Sequence, residues 1–175
     1  MKKAVPKTPV RCALREGSAL LLSVVDGLGA VKSAHRDYFD NTIRSTIADS
    51  LDLDEAVKQG HEQENRWDYL LGHGPSGEVV AVEPHSAKQD EITTVINKRT
   101  AAREHLKGHL REGARVTKWL WVASGKVHFA DTEKTKRRLD QNGIEFVGKK
   151  ITIKHLPAAA ASDSRPLSRP RRVGR

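Results

Sequence analysis

Two acidic side chains, Asp68 and Glu83, stand in segments whose other residues suit half-buried strands. The segments are "RWDYLLG" and "EVVAVEPH", joined by the loop "GHGPSG". Paired as a hairpin, they would bring both carboxylates together where the strands diverge, and two such groups repel unless a cation binds them. Hard oxygen ligands of this kind suit Mg²⁺ or Mn²⁺. The plainer expectation is that Asp68 and Glu83 are ordinary solvent-face residues of the hairpin and that His85 caps the following helix.

Other constellations are weaker. His105 and His109 are spaced to share one face of a continuous helix, where they could chelate Zn²⁺ with Glu112 as a third ligand. No Glu follows His105 directly, and Gly108 loosens the turn, so a solvated helix face is the preferred reading. The glycine-rich loop lacks the Gly-Lys-Ser/Thr ending of a phosphate loop and leads into a strand, which makes it a hairpin connection. There is no Gly-x-Ser-x-Gly elbow, and the single Cys12 near the terminus is a poor nucleophile. Trp119 and Trp121 share one face of a strand beside Lys118 and could stack nucleobases. Leu120 and Val122 make the opposite face apolar too, which favours a central strand covered on both sides.

The elements that must position these residues follow from periodicity. Leu14, Leu20, Leu21, Val24 and Val25 predict a helix over 10–28, and Ile43, Ile47, Leu51 and Val57 one over 40–59, stopped by Gly60. After the two strands comes a clear amphipathic helix over 88–111, with Ile92, Val95, Ile96, Ala102, Leu106 and Leu110 on one face. "RVTKWLWVA" is a strand that "KVHFA" continues or pairs with. "TEKTKRRLDQNG" is a charged helix, and "IEFVG" with "KKITIKHL" makes a final hairpin turning near Gly148. Antiparallel pairing of the first two strands, then a helical crossover to the third, predicts an α/β (α+β) fold with a mixed central sheet flanked by helices.

The chain has 175 residues and a net charge of +9, enough for one domain with a real core. Most of that charge is terminal: residues 1–11 and 158–175 each carry +4, leaving +1 for the rest. Both ends are expected to be disordered basic tails around a single domain over 12–157, the last 18 residues having almost no large apolar side chain. Basic tails can hold phosphates through counterion release, or serve solubility alone. No apolar run is long enough for a bilayer span, so no membrane partner is expected. A lone cysteine fits a reducing, cytoplasmic setting.

On Asp68, Glu83, Pro84 and His85, and on the order helix, strand, strand, helix, strand, the chain over about residues 40–125 resembles the PD-(D/E)XK nuclease superfamily. The resemblance implies a restriction-endonuclease-like core and Mg²⁺- or Mn²⁺-dependent hydrolysis of phosphodiester bonds in DNA or RNA. Asp68 falls on the family's Asp, and Glu83-Pro84-His85 on its acidic-x-Lys signature, with Trp67 where the family has Pro and His85 where it has Lys. Metal ligands would be Asp68, Glu83 and the Pro84 carbonyl, with His85 orienting or deprotonating the attacking water. Lys88 or Lys98 would replace the missing lysine charge, as relocated lysines do in some members. A degenerate nuclease-like domain belongs to the same reading, and the alternative is a non-catalytic accessory module that binds nucleic acid or a protein partner and carries basic tails.

Overall fold

The computed structural model describes residues 6–129 and 132–161. In chain order these form α1 (Pro9–Ala13), a 3₁₀ turn (Ala19–Ser23), β1 (Val25–Asp26), a second 3₁₀ turn (Ser33–Tyr38), α2 (Asn41–Arg44), β2 (Ile47–Asp52) and α3 (Leu53–Val57). There follow β3 (Tyr69–His73), β4 (Glu78–Lys88), a third 3₁₀ turn (Gln89–Glu91), α4 (Ile92–Lys107), β5 (Val116–His128), α5 (Thr132–Gln141), β6 (Glu145–Phe146) and a last 3₁₀ turn (Ile153–His155). The fold is α+β, and the six strands lie in sequence order across one mixed sheet. β1 to β4 are antiparallel neighbours, whereas β4, β5 and β6 run parallel, joined by α4 and α5 as crossovers.

Alternation along the central strands builds two apolar layers. Leu70, Val79, Ala81, Trp119 and Trp121 face α1, α4 and α5, packing with Val95, Ala102, Leu106 and Leu139. Their neighbours Tyr69, Leu71, Val80, Val82, Leu120 and Val122 face the other way, onto Val31, Phe39, Ile43, Ile151 and Leu156. The tryptophans of β5 are therefore core residues of a central strand, with Trp119 5% and Trp121 0% exposed. The glycine-rich loop is a hairpin connection, closed by Gly77 at φ +72 and by the Ser76 hydroxyl against His73 Nδ1 at 2.7 Å.

Three expected elements differ. The helix over 10–28 stops at Ala13, since Gly17 turns the chain at φ +84 and the following leucines do not share a face: Leu20 is buried and Leu22 is 92% exposed. The helix over 40–59 is two short helices around β2. A spacing of four between Ile47 and Leu51 fits an even strand period as well as a helix, and a bulge between Ile47 and Asp49 sends these residues into opposite layers. Asp40 and Asp52 start the two helices, their carboxylates accepting from Thr42 N and Glu55 N. The final hairpin is also replaced. β6 adds to β5 in parallel, and Ile151 bridges to Phe39 and is buried beneath the sheet.

The folded body begins before residue 12. Val10 in α1 is fully buried, and the buried Asp49 carboxylate accepts from Thr8 Oγ1, Val10 N and Arg11 N at 2.6, 3.1 and 3.0 Å. Of the expected C-terminal tail, residues 158–161 are exposed, and Ala160 N donates to Pro75 O at 2.9 Å. Residues 1–5 and 162–175, where the rest of both tails falls, lie outside the described residues. Among the described residues no helix is long and apolar enough to cross a membrane.

Candidate functional site

The β3–β4 ladder ends at the Tyr69–Val82 pair, so Asp68 and Glu83 lie one step beyond it, where the strands part. Pro84 is tolerated there because β3 no longer pairs with β4, while Val122 on β5 remains its partner. The Asp68 backbone is fixed from two sides. Its N–H donates to Glu83 Oε2 at 2.9 Å, and its carbonyl accepts from Leu53 N and Asp54 N, at 2.8 and 3.3 Å, at the start of α3.

Glu83 points into the layer beneath α4 and is fully buried. A buried carboxylate needs a partner, and the helix supplies it. Lys98 Nζ contacts Glu83 Oε1 and lies 3.7 Å from Asp68 Oδ1, its side chain 16% exposed. The two carboxylates thus share one lysine, and the solvent-face expectation for them fails. Burial, and then the Glu83 charge, push the Asp68 carboxyl up to about 7 against the opposing pull of Lys98.

His85 joins the cluster from the same strand. Its Nδ1 is 3.4 Å from Glu83 Oε1, and its Nε2 is 2.9 Å from Glu91 Oε2. Hydrogen bonding to Glu83 raises its pKa, burial opposes this, and Glu91 adds to the rise. The net rise biases the imidazole towards the cation. Glu91 precedes α4 directly, so His85 does tie the strand to the helix start, through a side chain and not by capping backbone N–H groups. The His85 carbonyl is held by Trp121 Nε1 at 3.1 Å.

Of the candidates, the structure brings together Asp68, Glu83, His85 and Lys98. Lys88 is not brought in: it is exposed at the end of β4, opposite His128, and its charge acts on Glu91. Glu91 was not among the sequence candidates, because its link to His85 depends on the turn between β4 and α4. The chelate of His105, His109 and Glu112 does not form. α4 ends at Lys107, and His109 beyond Gly108 turns its Nδ1 to Ser18 Oγ at 2.9 Å.

The other flank of α4 carries a basic groove of about 440 Å³, lined by Arg99, Arg103, Lys107, Arg111, Arg115 and Trp119. Arg99 lies over the Trp119 ring, 5.3 Å from its centroid, and its buried Nε has no hydrogen-bond partner among the described residues. Burial, with the charge of Arg103, lowers the pKa of its guanidinium. The sequence shows these cations, but only the packing of α4 against β5 shows that they share one groove. Compared with known protein families, with curated proteins and with solved structures, the chain matches none.

Proposed function

We propose that this chain is a divalent-metal-dependent phosphodiesterase acting on nucleic acid, with Asp68, Glu83 and Lys98 at its reacting centre. The observation that carries the reading is the position of Lys98, whose Nζ touches Glu83 and stands 3.7 Å from Asp68. A carboxylate pair with one lysine is what the PD-(D/E)XK resemblance asks for, here with the lysine supplied by the crossover helix. The strand order and the parallel β4–β5 pair agree with that core.

The donors fit Mg²⁺ or Mn²⁺. Both are carboxylates, and the Asp68 carboxyl, raised to about 7, carries an electrostatic cost that a cation would relieve. Asp68, Glu83 and the Pro84 carbonyl would hold the ion, which would supply a water of lowered pKa and offset charge on the scissile phosphate. Lys98 places its ammonium beside the developing phosphorane. His85, hydrogen-bonded between Glu83 and Glu91, orients the water. The basic groove on α4 would take the phosphate backbone of the substrate, with no dependence on base sequence.

The test is cleavage of labelled single- and double-stranded DNA and RNA with Mg²⁺ or Mn²⁺. Wild type should cut, while Glu83→Gln and Lys98→Met should each lose at least about a hundredfold in rate with binding largely kept. A wild type that binds these substrates without cutting them would leave the accessory-module reading.

A further inference from the structure

Apart from the carboxylate pair, the geometry points to a second site: His61, Glu64 and His105 form a three-ligand site for a Zn²⁺-class divalent cation that clamps the loop leading to Asp68 onto α4. The proposal does not depend on the hydrolytic reading. One ligand atom from each residue falls within 4.8 Å of the others. His105 Nε2 is 2.8 Å and His61 Nδ1 2.9 Å from the same oxygen, Glu64 Oε2. Four-coordinate zinc, with bonds of about 2.0–2.1 Å, sets its ligand atoms about 3.3 Å apart, so small side-chain movements would admit the ion.

Ordinary hydrogen bonding accounts for only part of this arrangement. His105 Nε2 bonds to Glu64, while His61 Nδ1, as close to the same oxygen, makes no well-aligned hydrogen bond among the described residues. The rings of His61 and His105 are 4.8 Å apart, so both imidazoles converge on one carboxylate from different elements.

The loop is also held in shape before any ion binds. Arg66 Nη1 donates to the carbonyls of His61, Glu62 and Glu64, at 2.6, 3.1 and 3.3 Å, and its Nε donates to Asp54 at 2.8 Å. One guanidinium thereby fixes the turn that presents His61 and Glu64. Support of this kind orients ligands and strengthens metal binding. Two imidazoles and a carboxylate select Zn²⁺, Co²⁺ or Ni²⁺ over Mg²⁺, which separates this site chemically from the oxygen pair at Asp68 and Glu83. His105 follows Lys98 by two turns on α4, about 10 Å along the same flank, and Arg66 lies two residues before Asp68. An ion here would therefore order the approach to the carboxylate site.

The experiment uses the full chain without a histidine tag, stripped with EDTA and titrated with Co²⁺ and Zn²⁺. Expected are one equivalent of tightly bound Co²⁺ with a visible d–d band, displacement by Zn²⁺, and a melting temperature raised by Zn²⁺. His61→Ala and His105→Ala should each weaken binding at least about tenfold and abolish the Zn²⁺-induced rise. Glu83→Gln should leave Co²⁺ binding unchanged. Melting in EDTA, equal for wild type and the histidine variants, shows that the variants fold. Wild type without a stoichiometric d–d band, or undiminished binding in the double histidine variant, overturns the proposal.

Discussion

Lys98 and Glu83, fifteen residues apart, meet at the interface of α4 and β4, and their contact joins the crossover helix to the strand beneath it. Breaking a buried ion pair by removing one partner leaves the other charge without compensation, at a cost of about 3–5 kcal/mol. Lys98→Met alone should therefore destabilise strongly by chemical denaturation. The double variant Lys98→Met/Glu83→Gln should lose less than the sum of the two single variants. Additive losses would show that the pair is not coupled in solution.

The raised carboxyl of Asp68 gives a stability dependence of definite sign. Its folded pKa of about 7 exceeds the ordinary 3.8, so the native state binds the extra proton and stability falls as pH rises from about 4 to 7. Asp68→Asn removes that loss. At pH 8 the variant should be more stable than wild type, by at most about 4 kcal/mol, and at pH 4 the two should match. The check is denaturation of both proteins across this range. A variant less stable at pH 8 would mean that Asp68 is ionised and well paired.

His85 and Glu91 move in opposite directions. The histidine is raised above 6.5, so its share of stability is complete below that value and is lost as pH climbs through the raised pKa. Glu91, lowered from 4.5 by its bond to His85, contributes above that value and loses its share as pH falls. The link is strongest between about 4.5 and 6.5. In Glu91→Gln, the His85 midpoint followed by NMR should move down, with part of the rise remaining because Glu83 is the larger cause. An unmoved midpoint would remove Glu91 from the cluster.

Asp68 and Glu83 are legible in the sequence because strand alternation and a short hairpin loop are local signals, and one turn sets their proximity. The long amphipathic stretch is legible as a helix for the same reason, so Lys98 can be named as a candidate. Choosing it over Lys88 requires the packing angle of α4, which no local pattern encodes. The cluster of His61, Glu64 and His105 is hidden more deeply, since Glu64 and His105 are 41 positions apart. β2 was obscured because apolar residues four apart satisfy both periods, and its buried polar residues, Asp49 and Ser50, blurred the alternation that marks a strand.

Asp49 supplies the last test, because a charge distribution that suggests a free basic tail conceals a folded segment. The carboxylate is fully buried on β2 and is satisfied by Thr8, Val10 and Arg11, while Arg11 also reaches Asp26 at 2.7 Å. The fit is tight from the sheet side as well, since a Cβ on Gly72 would meet Asp49 Oδ1 at 1.9 Å and Pro9 at 3.0 Å. Deleting residues 1–11 would strip the three donors from a buried charge, each worth about 1.5–3 kcal/mol, and would remove the buried Val10. The truncated chain should melt far below wild type or fail to fold. Asp49→Asn in the full chain should be milder, because an uncharged amide needs less compensation. An unchanged melting temperature after deletion would show that α1 is not part of the folded body.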